Sequence, residues 1–158
     1  MPLSLVRIDD RLIHGQVVLG WSRVLKPDRI VVSSDRIAES SWERKVYGAG
    51  VPPTIKVSFL TVEETAVELL NNLFKNESVL LLFESVKDVY DVVEKGVQLE
   101  EINIGGLHYR DGSEELLPYV FLTEDDRKLL RELVKKGVRL LARDIPGNSG
   151  TVINSMVV

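Results

Sequence analysis

The sequence predicts an open α/β fold of three layers: a mostly parallel, doubly wound sheet of about six to seven strands, covered by helices on both faces. Three observations carry this expectation. Strand-like and helix-like patterns alternate along the chain as far as residue 142. The connections between strand-like runs are too long for hairpins, so they call for right-handed βαβ crossovers. The run Val79-Leu80-Leu81-Leu82-Phe83 is apolar without alternation, which suits a central parallel strand buried on both faces.

The elements follow in order. Leu3, Leu5, Val6 and Ile8 mark a first strand, after which Val17, Trp21, Val24 and Leu25 recur at helical spacing. Residues 29–33 form a β-branched run, followed by a helix over residues 37–48 that Gly50, Pro52 and Pro53 bring to an end. Residues 55–59 give a third strand. Thr61-Val62-Glu63-Glu64 has the form of a capping box, opening a helix with the stripe Val62, Ala66, Leu69, Leu70, Leu73 and Phe74. After the strand at 79–83, Ser85 and Asp88 cap a helix striped by Val86, Val89, Tyr90 and Val93, and Gly96 sits where a C-terminal glycine belongs. Residues 101–104 make a fifth strand and residues 119–122 a short sixth. Thr123 with Asp126 starts a last clear helix ending at Gly137, before a final strand at 138–142. The tail, residues 146–158, is poorly patterned. No linker or repeat interrupts the pattern, so residues 1–158 are expected to form a single domain, large enough to bury about 70% of the unfolded surface.

Composition narrows the function. A net charge of −4, without a basic tail or an aromatic-basic patch, gives no reason to expect nucleic acid as a partner. The absence of cysteine excludes disulfides and thiolate sites, and two histidines leave little from which to build a zinc centre. The N-terminus has no basic segment followed by an apolar core, and no apolar run approaches 18 residues. A soluble, cytoplasmic protein without direct membrane insertion is expected.

Chemistry concentrates in residues 7–16, Arg-Ile-Asp-Asp-Arg-Leu-Ile-His-Gly-Gln. His14 falls where the first strand hands over to a helix. There, unpaired backbone N–H groups and the positive end of the helix dipole favour an anion. Arg11 adds a positive charge whose planar fork can grip phosphate oxygens, and Gly15 lets another molecule approach closely. A neutral imidazole can attack phosphorus and hold the phosphoryl group covalently. In open α/β folds ligands bind beyond the carboxyl ends of the strands, an edge shared by this loop and by the loop carrying Gly105, Gly106 and His108.

Several of these residues also have plainer readings. Asp9 and Asp10 either orient the His14 imidazole through its second nitrogen or satisfy loop N–H groups. Arg7 is either a second phosphate ligand or the partner of a carboxylate at the sheet edge. His108 either touches the phosphoryl group or partner protein, or is a solvated loop histidine. Gly105 and Gly106 permit an unusual turn or simply end a strand; no dinucleotide or P-loop fingerprint accompanies them. Ser33, Ser34 and Asp35 either line the cleft or cap the next helix. Trp21 and Trp42 read as core or partly exposed packing residues.

The stretch RIDDRLIHGQV resembles the signature of the IIB components of the mannose/fructose/sorbose class of the bacterial sugar phosphotransferase system (PTS). Ile30 to Asp35, Leu80 to Phe83, and Asn103-Ile104-Gly105-Gly106-Leu107-His108-Tyr109-Arg110 follow in the same order. The likeness covers roughly residues 3–143. It implies that His14 accepts a phosphoryl group from a IIA partner and passes it to a sugar entering through IIC/IID membrane subunits, with Arg11 neutralising the phosphoryl charge. Asp9, Asp10, Gly15, Gln16, Gly105, Gly106 and His108 would support the site. No metal or cofactor enters this scheme. Glu84 departs from the small or amide residue that the resemblance leads one to expect, and a carboxylate there would repel a phosphoryl group. Two other functions use the same residues: a regulatory phosphoprotein that serves no transporter, and an α/β domain that binds a small ligand without a covalent step.

Overall fold

A computed structural model describes residues 3–13 and 15–158; for residues 15–19 only the backbone is described. The elements are β1 (Leu3–Ile8), α1 (Gly15–Leu25), β2 (Arg29–Ser33), α2 (Asp35–Ala38), α3 (Ser41–Ala49), β3 (Lys56–Leu60), α4 (Val62–Leu70) and β4 (Val79–Phe83). They continue as α5 (Val86–Glu94), β5 (Glu101–Ile104), β6 (Glu114–Leu117), β7 (Val120–Leu122), α6 (Glu124–Lys135), β8 (Arg139–Ala142), β9 (Thr151–Val152) and α7 (Asn154–Val157). Seven strands form one sheet in the order β3-β2-β4-β1-β5-β8-β9, parallel except for β9.

The order explains the two layers. From β1 the chain winds outward through β2 to β3, then returns to β4 and continues across to β5 and β8. A right-handed crossover that reverses direction must change faces. Accordingly Trp21 and Ile37 pack on one face against Ile30, Val32, Leu80 and Leu82. Residues from α4 to α7, such as Ala66, Val89, Leu130 and Val157, pack on the other against Val6, Ile8 and Ile104. The connections leaving β1 and β5, which are neighbours, therefore diverge to opposite faces and open a crevice at their carboxyl ends.

Four expectations need correction. The helix expected over 37–48 is two, because Ser40 breaks it: its hydroxyl accepts from the Glu43 N–H and caps α3. The helix opened by Thr61 ends at Leu70, so its expected stripe is too long, and Leu70 and Leu73 are exposed. The strand expected at 119–122 lies outside the main sheet, where β7 pairs antiparallel with β6. Trp42 is exposed, whereas Trp21 is buried.

The tail is more ordered than its pattern suggested. β9 pairs with β8, and Ile153 and Val157 are buried. Beyond β9 the Asn154 amide takes over the pairing, accepting from the Leu140 N–H at 2.7 Å and donating to the Val138 carbonyl at 2.9 Å. The open edge of β8 is thereby closed.

Candidate functional site

The site starts in β1. Val6 and Ile8 face the α4–α7 layer, so Arg7 faces the other side, where it is fully buried with its guanidinium 5.0 Å from the Trp21 ring centroid. In register beside it lies Asn103 of β5, whose side-chain oxygen accepts from Arg7 Nη1. The segment after β8 closes over the pair: Arg7 donates to the carbonyls of Arg143 at 2.7 Å and Asp144 at 2.8 Å. A charged donor buried this deeply is tolerable because acceptors surround it. Burial still pulls its pKa below the ordinary arginine value, against the opposing charge of Asp9.

Asp9, also fully buried, sits between two arginines. Its carboxylate accepts from Arg7 Nη2 at 3.0 Å, from Arg11 Nε and Nη2 at 2.9 Å each, and from the Arg11 backbone N–H at 3.0 Å. Burial alone would raise its pKa, but the Arg11 hydrogen bonds and the Arg7 charge outweigh burial and hold it below the usual carboxylate range. Arg11, a quarter exposed, also reaches Asp144 Oδ1 at 3.3 Å, and its pKa is raised, chiefly by the Asp9 hydrogen bonds. The fork expected to be open for phosphate is thus engaged by Asp9, which fixes the plane of the guanidinium.

Gly105 and Gly106 form the floor. Neither has a positive φ, so the expected unusual turn is absent. Their requirement is closeness: a Cβ on Gly105 would overlap the Arg7 guanidinium and lie 2.7 Å from Asp9 Oδ2, and one on Gly106 would lie 3.1 Å from Arg11 Nε. The strand pairing continues past β1 and β5, with the Gly105 N–H on the Ile8 carbonyl at 2.7 Å and the Asp10 N–H on the Gly106 carbonyl at 2.9 Å. Leu12 then turns the chain with a left-handed φ of 50° and buries its side chain with Ile13 in the core. A non-glycine residue so held is strained, and strain of this kind persists only where packing enforces it. α1 begins two residues after Ile13, at Gly15.

His14 lies outside the described residues, and of Gly15 and Gln16 only the backbone is described. Asp10 satisfies a loop N–H, one of its two expected roles: its carboxylate accepts from the backbone N–H of His108 at 2.7 Å and also meets His108 Nδ1 at 2.6 Å. Asp9 likewise satisfies a loop N–H, that of Arg11, and adds a hold on two arginine side chains that was not expected. Ser34 caps α2, Asp35 accepts from the Val62 N–H, and Ser33 accepts from Thr65, so these residues are structural. Glu84 is engaged by Ser34 and Arg36, which offsets the expected repulsion.

Sequence reasoning missed Asn103 and Asp144 and set Arg7 aside. The signal available was a polar residue at the next-to-last position of two apolar strands, LSLVRI and EINI.

A family model described as the PTS system sorbose subfamily IIB component matches residues 3–158. The chain is 38% identical over 140 residues to the sorbose-specific EIIB component of Klebsiella pneumoniae, covering 89% of this chain and 85% of that one. It is 33% identical over 149 residues to the fructose-specific EIIB component of Bacillus subtilis, covering 94% and 91%. The solved IIBSor domain of the K. pneumoniae sorbose permease superposes with a TM-score of 0.92 at 35% identity, covering 99% and 96%. The N-acetylgalactosamine-specific IIB component 1 of Escherichia coli gives 0.87 at 27% identity, covering 94% and 97%. These relatives carry names of sugar-specific transport systems, which fits the transport reading and not the regulatory one.

Proposed function

The chain belongs to the sorbose subfamily of PTS IIB components, phosphocarrier subunits that transfer phosphoryl groups during sugar uptake, and from that premise we propose that His14 is its phosphoryl acceptor. A neutral His14 nitrogen attacks the phosphorus of a phosphohistidine on the IIA partner, forming one N–P bond as the donor's breaks. In a second in-line step a sugar hydroxyl oxygen bonds to phosphorus as the His14 N–P bond breaks, and the hydroxyl proton goes to the freed imidazole. Such transfers pass through loose transition states, so positioning and charge stabilisation supply most of the rate. Arg11 provides the charge and Asp9 holds it in place, with Gly105 and Gly106 as the floor that lets both pack closely.

The observation that carries this reading is the Arg11 guanidinium, fixed by Asp9 on the strand edge three residues before His14. The partners are a IIA donor and IIC/IID membrane subunits, and the site of action is the cytoplasm. Among the described residues no helix is long and apolar enough to cross a membrane. Relatives of similar length are named for sorbose, fructose and N-acetylgalactosamine, so one fold serves systems for different sugars.

Reconstitution with phosphoenolpyruvate, the general phosphotransferase proteins and a IIA partner tests the assignment. A single acid-labile, alkali-stable phosphoryl group should appear, and His14→Ala should abolish it. Label that survives acid, or that persists in His14→Ala, would overturn the reading.

A further inference from the structure

We propose that His108 is a second ligand for the phosphoryl group, its ring positioned by Asp10; this rests on His14 being the acceptor. The cradle described so far is close to electrically neutral. The guanidinium groups of Arg7 and Arg11 are matched by the carboxylates of Asp9 and Asp144, all linked by hydrogen bonds or ion pairs. A phosphoryl group arriving with about two negative charges therefore meets a positive group already balanced by its neighbours, and needs further donors.

His108 is placed to be one. Three hydrogen bonds join its segment to the loop after β1: the Asp10 N–H to the Gly106 carbonyl, the His108 N–H to Asp10 Oδ2, and Nδ1 to Asp10 Oδ1. Residue 10 adjoins Arg11, whose guanidinium lies on Gly106. A carboxylate only accepts, so Nδ1 carries a proton and the ring has one orientation. That leaves Nε2 turned from Asp10, in a side chain 67% exposed at the rim. In the imidazolium form Nε2 donates while Asp10 keeps Nδ1, the arrangement by which a carboxylate orients a working imidazole.

The other charges nearby are engaged: Arg143 lies over the Trp21 ring and donates to the Pro146 carbonyl. Arg110, on the same segment, is paired with Asp126 of α6, and Arg11 faces Asp9 and Asp144. Asp111 follows on the same turn. An exposed pair gains little stability from ordering its side chains, so the fixed orientation points to use by a ligand.

The test measures transfer from the phosphorylated IIA partner to the wild type, His108→Ala, His108→Gln and Asp10→Asn, with 31P NMR of the products. Loss of one charge-assisted hydrogen bond corresponds to about a tenfold or greater fall in rate. His108→Ala should show this at saturating donor with the half-saturating donor concentration unchanged. His108→Gln, which keeps a donor, should recover part of the rate, and Asp10→Asn should fall between. The 31P resonance of phospho-His14 should move in His108→Ala, and the ring signal of His108, one of only two histidines, should move on phosphorylation of the wild type. Wild-type rates with an unmoved 31P resonance overturn the proposal, and so does a raised half-saturating concentration at an unchanged maximal rate, which would make His108 a partner contact. If the wild type gains no label on His14, the assignment of the acceptor itself fails, an outcome separate from these.

Discussion

Asp9 holds Arg11 at three points: through the backbone N–H at 3.0 Å and through Nε and Nη2 at 2.9 Å. The same carboxylate holds Arg7, so a single buried anion sets the position of both guanidinium groups.

Asp9→Asn should therefore be costly twice. It leaves a buried Arg7 without its counter-charge, a change worth about 3–5 kcal/mol when one partner of a buried pair is removed. It also frees Arg11. Urea unfolding should register the first effect, and slowed phosphoryl transfer in the surviving folded protein the second.

On the proposed role of Arg11, Arg11→Ser should remove hydrogen bonds to the moving phosphoryl group, each worth roughly 1.5–3 kcal/mol, and slow transfer about ten- to a hundredfold or more. The fold should persist, because Arg7 still pairs with Asp9, but with a lower unfolding midpoint. Arg11→Lys keeps charge without the two-pronged grip and should lie between. A serine variant that takes up phosphate at the wild-type rate would show Arg11 to be a bystander.

Gly105→Ala tests the floor. The added methyl overlaps Arg7 and Asp9, and overpacking of this kind costs about 1–3 kcal/mol. Thermal unfolding should show the loss. Gly106→Ala, whose Cβ meets the Arg11 side chain at 3.1 Å, should cost less stability and affect transfer more.

Two carboxylates should move stability in opposite directions with pH. Asp9 has a pKa below its unfolded value of about 3.9, so its contribution is present above that pH and is lost as pH falls through the lower folded value. Asp88 is pushed up to about 6 by burial and by the charges of Glu84, Asp35 and Asp91, against a hydrogen bond from Ser85. Its neutral form favours folding, so its contribution is full below about pH 4 and is lost as pH rises through about 6. Asp88→Asn should stabilise the protein at pH 7.5 by about 1 kcal/mol, after allowance for solvent screening, and change little near pH 4. Chemical denaturation at the two pH values decides it.

Local signals in the sequence served well for the fold. The Thr61/Glu64 capping box forms as written, and Thr123 with Asp126 does the same at α6. The unbroken apolar run of β4 is fully buried at the sheet centre. Of the site, the motif around Arg11 was legible because its residues are neighbours in sequence. Arg7 with Asn103 and Asp144 was not, since those contacts join residues 96 and 137 positions apart, and no local pattern encodes such a meeting. The splitting of the 37–48 helix was missed because Ser40 is polar enough to pass as one exposed position on a continuous helix.

The closure of Arg7 by the carbonyls of residues 143 and 144 has a consequence for biosynthesis. The ribosome makes β1 before β8, and two of the acceptors that surround its arginine emerge 136 and 137 residues later. A nascent chain has Arg7 and the loop leading to His14 long before it has the groups that seat them. Competence to carry a phosphoryl group should therefore wait until residues 143 and 144 have emerged, and chains stopped before them should be poor substrates for the donor.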